Sequence, residues 1–145
     1  MKPETKEDYL KGLGKAARQA LQEWWEEQHP KVAYVAGPYR NSPEGIERAI
    51  RFAKLLWSRG IPNICPHANS LNFEYDIPND DIFLDGYLDI LRKCDEIYIL
   101  PGWEKSAGTL EELGLAIELG LKIWWVKETD EGFAITSIEE MVANG

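Results

Sequence analysis

The sequence is poor in residues that bind metals or cross-link chains: it has two cysteines and two histidines among 145 residues. Cys65 and Cys94 show no metal-ligand spacing, and only His29 and His67 could join them. No metal is therefore expected; no cofactor is expected either. Free, buried thiols are the default for a cytoplasmic chain, and cytoplasmic is the expected location. Cations are also scarce, with 16 Lys plus Arg against 25 Asp plus Glu and a formal charge of −9. Such a surface repels phosphate backbones and anionic membranes, which argues against a nucleic-acid polymer or a membrane as partner. A small anionic ligand stays open, because free N–H groups at a helix start hold phosphate without help from net charge. No apolar run is long enough to cross a bilayer, and the N-terminal apolar residues are periodic rather than consecutive, unlike a secretory signal. No internal repeat or low-complexity segment is visible.

What is present alternates between two periods. Leu10, Leu13, Ala17, Ala20, Leu21 and Trp24 predict an amphipathic helix from about Thr5 to Gln28, stopped by His29-Pro30. It reads as an N-terminal extension, residues 1–30, that either covers a sheet edge or pairs with another subunit. Residues 31–145 read as one α/β domain. Strands are predicted at Val32–Ala36, Ile61–Cys65, Glu96–Leu100 and Leu121–Val126. Helices are predicted after Ser42-Pro43 to Gly60, from Asp80 to Lys93, from Gly108 to Leu119, and weakly from Ser137 to Ala143. Pro66 to Asn79 reads as a long loop. The alternation implies right-handed crossovers and a mostly parallel sheet covered on both faces, a flavodoxin/Rossmann-like three-layer sandwich. Ligands of such sheets sit outside the carboxyl ends of the strands. The candidate stretches are then Gly37–Arg40, Cys65–His67, Pro101–Gly108 and the residues after Val126.

The most informative stretch is Pro101 to Gly114. It leaves a strand through Pro-Gly, passes small residues, and opens a helix bearing Glu111 and Glu112. The helix start favours negative charge; Ser106 offers a hydroxyl and Gly108 a close backbone approach, which suits phosphate. A carboxylate held ionised there could act at a sugar anomeric carbon. Equally, both glutamates could merely complement the helix dipole.

The chain resembles the nucleoside 2-deoxyribosyltransferase-like superfamily, especially its 2′-deoxynucleoside 5′-monophosphate N-glycosidase branch and related phage and bacterial proteins. The resemblance rests on Tyr34-Val35-Ala36-Gly37-Pro38-Tyr39-Arg40, Cys65-Pro66-His67, Cys94-Asp95, Leu100-Pro101-Gly102-Trp103-Glu104, and Ser106-x-Gly108-x-x-x-Glu112-Leu113-Gly114-x-Ala116. It implies that Glu112 is the catalytic glutamate and that Ser106 contacts a 5′-phosphate. It also implies that Tyr34, Gly37 and Arg40 line the sugar and phosphate side, and that His67 lines the base or sugar pocket. Gly108-Thr109-Leu110-Glu111-Glu112 is also similar to the Gly-Thr-x-x-Glu portion of the cytokinin-activating phosphoribohydrolases, which again selects Glu112.

One position departs from that pattern. Where the hydrolases carry an aspartate on the third helix, this chain has Tyr87, with Asp85 and Asp89 two residues to either side. Either Asp85 is brought inward, or Tyr87 substitutes, or the activity differs. A phenol donates a proton but is a poor base near neutral pH. Trp103 either stacks on a base or covers the helix start. Trp124 and Trp125 read as core or interface, and Asp95 as structural. The implied function is cleavage of the base–sugar bond of a (deoxy)nucleoside 5′-monophosphate, with base exchange as a variant, by a homodimer or higher homo-oligomer. A nucleotide-sensing module on the same scaffold is the alternative. A third reading makes the tryptophan-rich N-terminal helix an interaction surface.

Overall fold

The computed structural model describes Lys6 and residues 10–28 and 31–140. It divides into two compact units, Met1–Lys31 and Val32–Gly145.

In the first unit, helix α1 spans Lys15–Gln28. The single helix predicted from Thr5 is interrupted, because residues 11–14 leave the helical form and Gly12 takes φ 74°. Glycines at 12 and 14 explain the break: they are poor helix formers, and a positive φ terminates a turn. Arg18 Nη1 donates to Leu10 O at 2.9 Å across the interruption. The predicted start at Thr5 and the His29-Pro30 stop lie outside the described residues.

The second unit is a five-stranded sheet in the order β2-β1-β3-β4-β5. Strands β1 (Ala33–Ala36), β2 (Asn63–Ile64), β3 (Glu96–Ile99) and β4 (Lys122–Thr129) run parallel, and β5 (Gly132–Ser137) runs antiparallel to β4. Helix α2 (Pro43–Ser58) has Pro43 at its start, and its Ser42 cap accepts from Gly45 N at 3.1 Å, as the Ser-Pro pair predicts. Helix α4 (Asp80–Leu91) follows β2 after a connection, and α5 (Ala107–Leu119) ends on Gly120 with φ 71°. The connection is not a plain loop. It holds the one-turn helix α3 (Pro66–Asn69) and a 3-10 turn, Phe73–Tyr75.

Strand alternation sorts the core into two layers. Ala33 and Val35 of β1 join Phe52, Ala53 and Leu56 of α2 on one face. Tyr34 and Ala36 join Leu91 of α4 and Leu113 and Ala116 of α5 on the other. Fully burying a Phe52 or a Leu56 stabilises by about 1.5–3 kcal/mol each, so the layers are held by such apolar contacts. Cys65 and Cys94 are free and buried. Asp95 is structural: its carboxylate accepts from Val32 N at 2.8 Å where β1 and β3 begin.

Strand β5 was not anticipated. Ser137, the predicted start of a last helix, instead ends β5; only residues 138–140 are helical, and the rest of that helix lies outside the described residues. The physical cause is a two-residue turn, Asp130-Glu131, that pairs Thr129 with Gly132 and folds Phe133 and Ile135 back onto the α2 layer. Among the described residues, no helix is long and apolar enough to cross a membrane.

Candidate active site

The chain leaves β1 toward one face of the sheet and β3 toward the other, so the segments after these neighbouring strands diverge and open a crevice. A cavity of about 940 Å³ lies there. Its wall comprises residues 37–43 after β1, parts of the segment after β2, the first turns of α4, and the start of α5.

Glu112 reaches this cavity although it is only 8% exposed. It sits in the second turn of α5, and Tyr34 of β1, fully buried beneath it, donates its hydroxyl to Glu112 Oε2. Burial raises the Glu112 carboxyl to about 7; the Tyr34 hydrogen bond opposes that shift and neighbouring Glu111 adds to it. This corrects the expectation of a carboxylate held fully ionised by the helix start: desolvation outweighs the dipole here. The Tyr34 phenol is itself pushed far up by burial and by Glu112, so it remains a donor.

The start of α5 carries a side-chain cap. Ser106 caps the helix, its Oγ accepting from Thr109 N at 3.3 Å and from Thr109 Oγ1 at 2.8 Å. Both of those bonds are accepted, which leaves the Ser106 hydroxyl proton for the cavity. The N–H groups of Ala107 and Gly108 head the helix without an intrahelical acceptor by geometry. A Cβ built on Gly108 meets nothing within 4 Å, so its backbone faces open space in the cavity wall.

Gly37 and Arg40 line the same cavity. Gly37 fits closely, since a Cβ there would approach Leu100 Cβ at 3.0 Å. Arg40 is paired with Asp80 across the mouth, with its side chain 69% exposed. His67 is buried rather than at a surface turn. Its Nε2 bonds the carbonyls of Gly37 and Pro38 at 2.9 and 3.2 Å, and its Nδ1 lies 3.7 Å from Cys65 Sγ. Burial lowers its basicity, keeping it neutral, so it clamps the turn after β1.

Tyr87 lines the cavity, whereas Asp85 is exposed and is not part of the lining. The structure thus brings Tyr34, Gly37, Arg40, His67, Tyr87, Ser106, Gly108 and Glu112 to one place and leaves Asp85 outside. Trp103 does not line the cavity either; it packs on Trp125 with ring centroids 4.8 Å apart. Trp124 stacks on Tyr98 at 5.9 Å.

Other residues of the site went unnoticed in the sequence. Tyr39 donates to Glu74 at 3.0 Å and accepts from Asn72 N at 3.1 Å, tying the β1 loop to the segment after α3. Arg48 Nη2 donates to Pro101 O at 3.0 Å, bracing the exit of β3. A Cβ on Gly45 would come within 2.6 Å of Pro38 O, so only glycine lets α2 start so close to that turn. Tyr39 could have been found inside the Tyr34–Arg40 run; Arg48 and Gly45 carry no local signal. Among the described residues, no group of three metal-ligating side chains is assembled.

Strand order, crossovers and crevice define a flavodoxin/Rossmann-like α/β protein with its pocket at the β1/β3 switch point. The chain belongs to the family described as Domain of unknown function (DUF4406), whose model matches residues 31–125, from just before β1 into β4. No match was found among curated proteins.

Proposed function

We propose that this protein is an N-glycosidase that cleaves the base–sugar bond of a nucleoside 5′-monophosphate, with base exchange as a variant. The observation that carries the reading is the buried Glu112 carboxyl, held by Tyr34 in the cavity wall just over one turn from the free N–H groups of α5. A phosphate on those amides and on the Ser106 hydroxyl would leave the sugar against Glu112. In its ionised form Glu112 attacks C1′, or stabilises the oxocarbenium-like transition state, as the C1′–N bond breaks. The resemblance to the nucleoside 2-deoxyribosyltransferase-like superfamily supports the same assignment and carries with it a homo-oligomer, which light scattering tests.

Incubation with a panel of ribo- and deoxyribonucleotides, followed by chromatography for free base, tests the activity. Glu112→Ala should lower release by about 100-fold or more; equal release by both proteins overturns the role of Glu112. The second reading, a nucleotide-binding or sensing module, is favoured by one observation: a tyrosine, not a carboxylic acid, faces the cavity at position 87. It predicts a nucleotide-dependent rise in melting temperature with the nucleotide recovered intact.

A further inference from the structure

The cavity is rich in acids, yet Tyr87 lines it at the position where the resemblance places the proton-donating carboxyl. Five lining residues carry carboxyl groups, namely Glu74, Asp80, Asp81, Glu111 and Glu112, against two cations, Arg40 and Lys105. Arg40 is already paired with Asp80. Lys105 directly precedes Ser106 at the start of α5, which is the phosphate end in the reading above. The remaining wall therefore presents acidic groups without a matching cation. Tyr39, Tyr75 and Phe83 lie on that wall too, and aromatic faces attract positive charge.

Proton supply is the second observation. Tyr87 donates its hydroxyl to Ser70 Oγ at 2.7 Å and accepts from Asn69 Nδ2 at 3.0 Å, while Ser70 donates to Pro66 O at 3.4 Å. The Tyr87 and Ser70 hydroxyl protons are each committed to the next acceptor, ending on a backbone carbonyl. Asp85 is exposed and outside the lining, and Glu112 is occupied by its role at C1′. A neutral purine or pyrimidine must gain a proton on a ring nitrogen as its bond to the sugar breaks, or else leave as an anion. A base that is already cationic needs none.

Resting on the glycosidase reading, we infer that the preferred substrate is a nucleoside 5′-monophosphate whose base carries its own positive charge, an N-alkylated purinium or a pyridinium. The C1′–N electron pair moves onto the ring nitrogen and the base departs neutral while a Glu112 oxygen bonds to C1′. Water then attacks C1′, the C1′–O bond to Glu112 breaks and returns the carboxylate, and the water's second proton passes to solvent. The sum is nucleotide plus water giving sugar phosphate, neutral base and one proton. The acidic wall attracts the charged base before the step, and Tyr87 need not move from Ser70.

The test compares 7-methylguanosine 5′-monophosphate with guanosine 5′-monophosphate, a pair differing by one methyl group and one charge. Initial rates of base release by the full chain are measured at neutral pH, with release by Glu112→Ala subtracted. The methylated nucleotide should show a kcat/KM higher by about 100-fold or more, the scale of a general acid that is not required. Tyr87→Asp, which places a carboxyl on the wall, should narrow that ratio by about tenfold or more by raising the rate of the neutral nucleotide. Equal or faster cleavage of the neutral nucleotide by wild type overturns this inference and leaves the glycosidase reading standing. A ratio unchanged in a Tyr87→Asp protein of wild-type melting temperature also overturns it. Release of neither base overturns both.

Discussion

The Tyr34 hydroxyl, at the heart of the sheet, donates to Glu112 Oε2 across 78 residues of sequence, and both side chains are buried. This bond opposes the burial that lifts the Glu112 carboxyl to about 7. Tyr34→Phe removes it and should push that carboxyl higher still. In the proposed reaction the ionised form acts at C1′, so activity should rise as pH climbs through that value. The acid limb of the pH–rate profile should therefore move up by about one unit, with about a fivefold loss at neutral pH. A limb that stays in place would separate Tyr34 from the carboxylate's chemistry.

Glu112 also makes stability depend on pH. Its folded value, about 7, exceeds the ordinary 4.5, so its contribution is fully present below about 4.5 and is lost as pH rises through 7. Glu112→Gln keeps an acceptor for Tyr34 without titrating. Relative to wild type it should gain stability between pH 5 and pH 8.5 by about 3 kcal/mol, read by urea denaturation at the two pH values.

Gly108 and Gly45 should respond in opposite ways to the same change. A methyl on Gly108 meets open space, so Gly108→Ala should keep or slightly raise the melting temperature, by up to about 1 kcal/mol of helix propensity. The methyl stands where an anion would approach the backbone, so nucleotide affinity should fall by about tenfold or more. Gly45→Ala instead collides with Pro38 O and Ser42 Oγ, and should destabilise by about 1–3 kcal/mol. Thermal melts and ligand titrations of the two variants distinguish these effects.

His67 holds the Gly37 and Pro38 carbonyls. His67→Ala leaves both without that donor and should cost about 1–3 kcal/mol at neutral pH. Burial depresses the imidazole's folded value below 6.5, so its contribution is present above 6.5 and lost as pH falls. The gap between wild type and His67→Ala should consequently shrink toward pH 5, which denaturation curves across that range would register.

Periodicity and punctuation made most of the fold legible. The apolar runs Val32–Ala36 and Glu96–Leu100, the Ser42-Pro43 start, and Gly120 as a stop all rest on local rules that hold wherever the segment lies. Strand β5 escaped because Phe133 and Ile135 make too short an alternation to outweigh the acidic turn before them, and their pairing with β4 supplies what the segment lacks alone. The break near Gly12 escaped because the apolar stripe continues on both sides of Gly12 and Gly14.

The site divides in the same manner. Local rules were enough to put Gly108 and Glu112 in the first turns of one helix with Ser106 just before it, since a small residue and a carboxylate at those spacings follow from helix geometry. That Tyr34 lies under Glu112, that His67 clamps a turn, and that Tyr87 and not Asp85 meets the cavity follow from the packing of the layers. Those outcomes depend on which faces the two layers bury. Burial is a property of the packed whole, and it is what moves a carboxyl from the ordinary 4.5 to about 7.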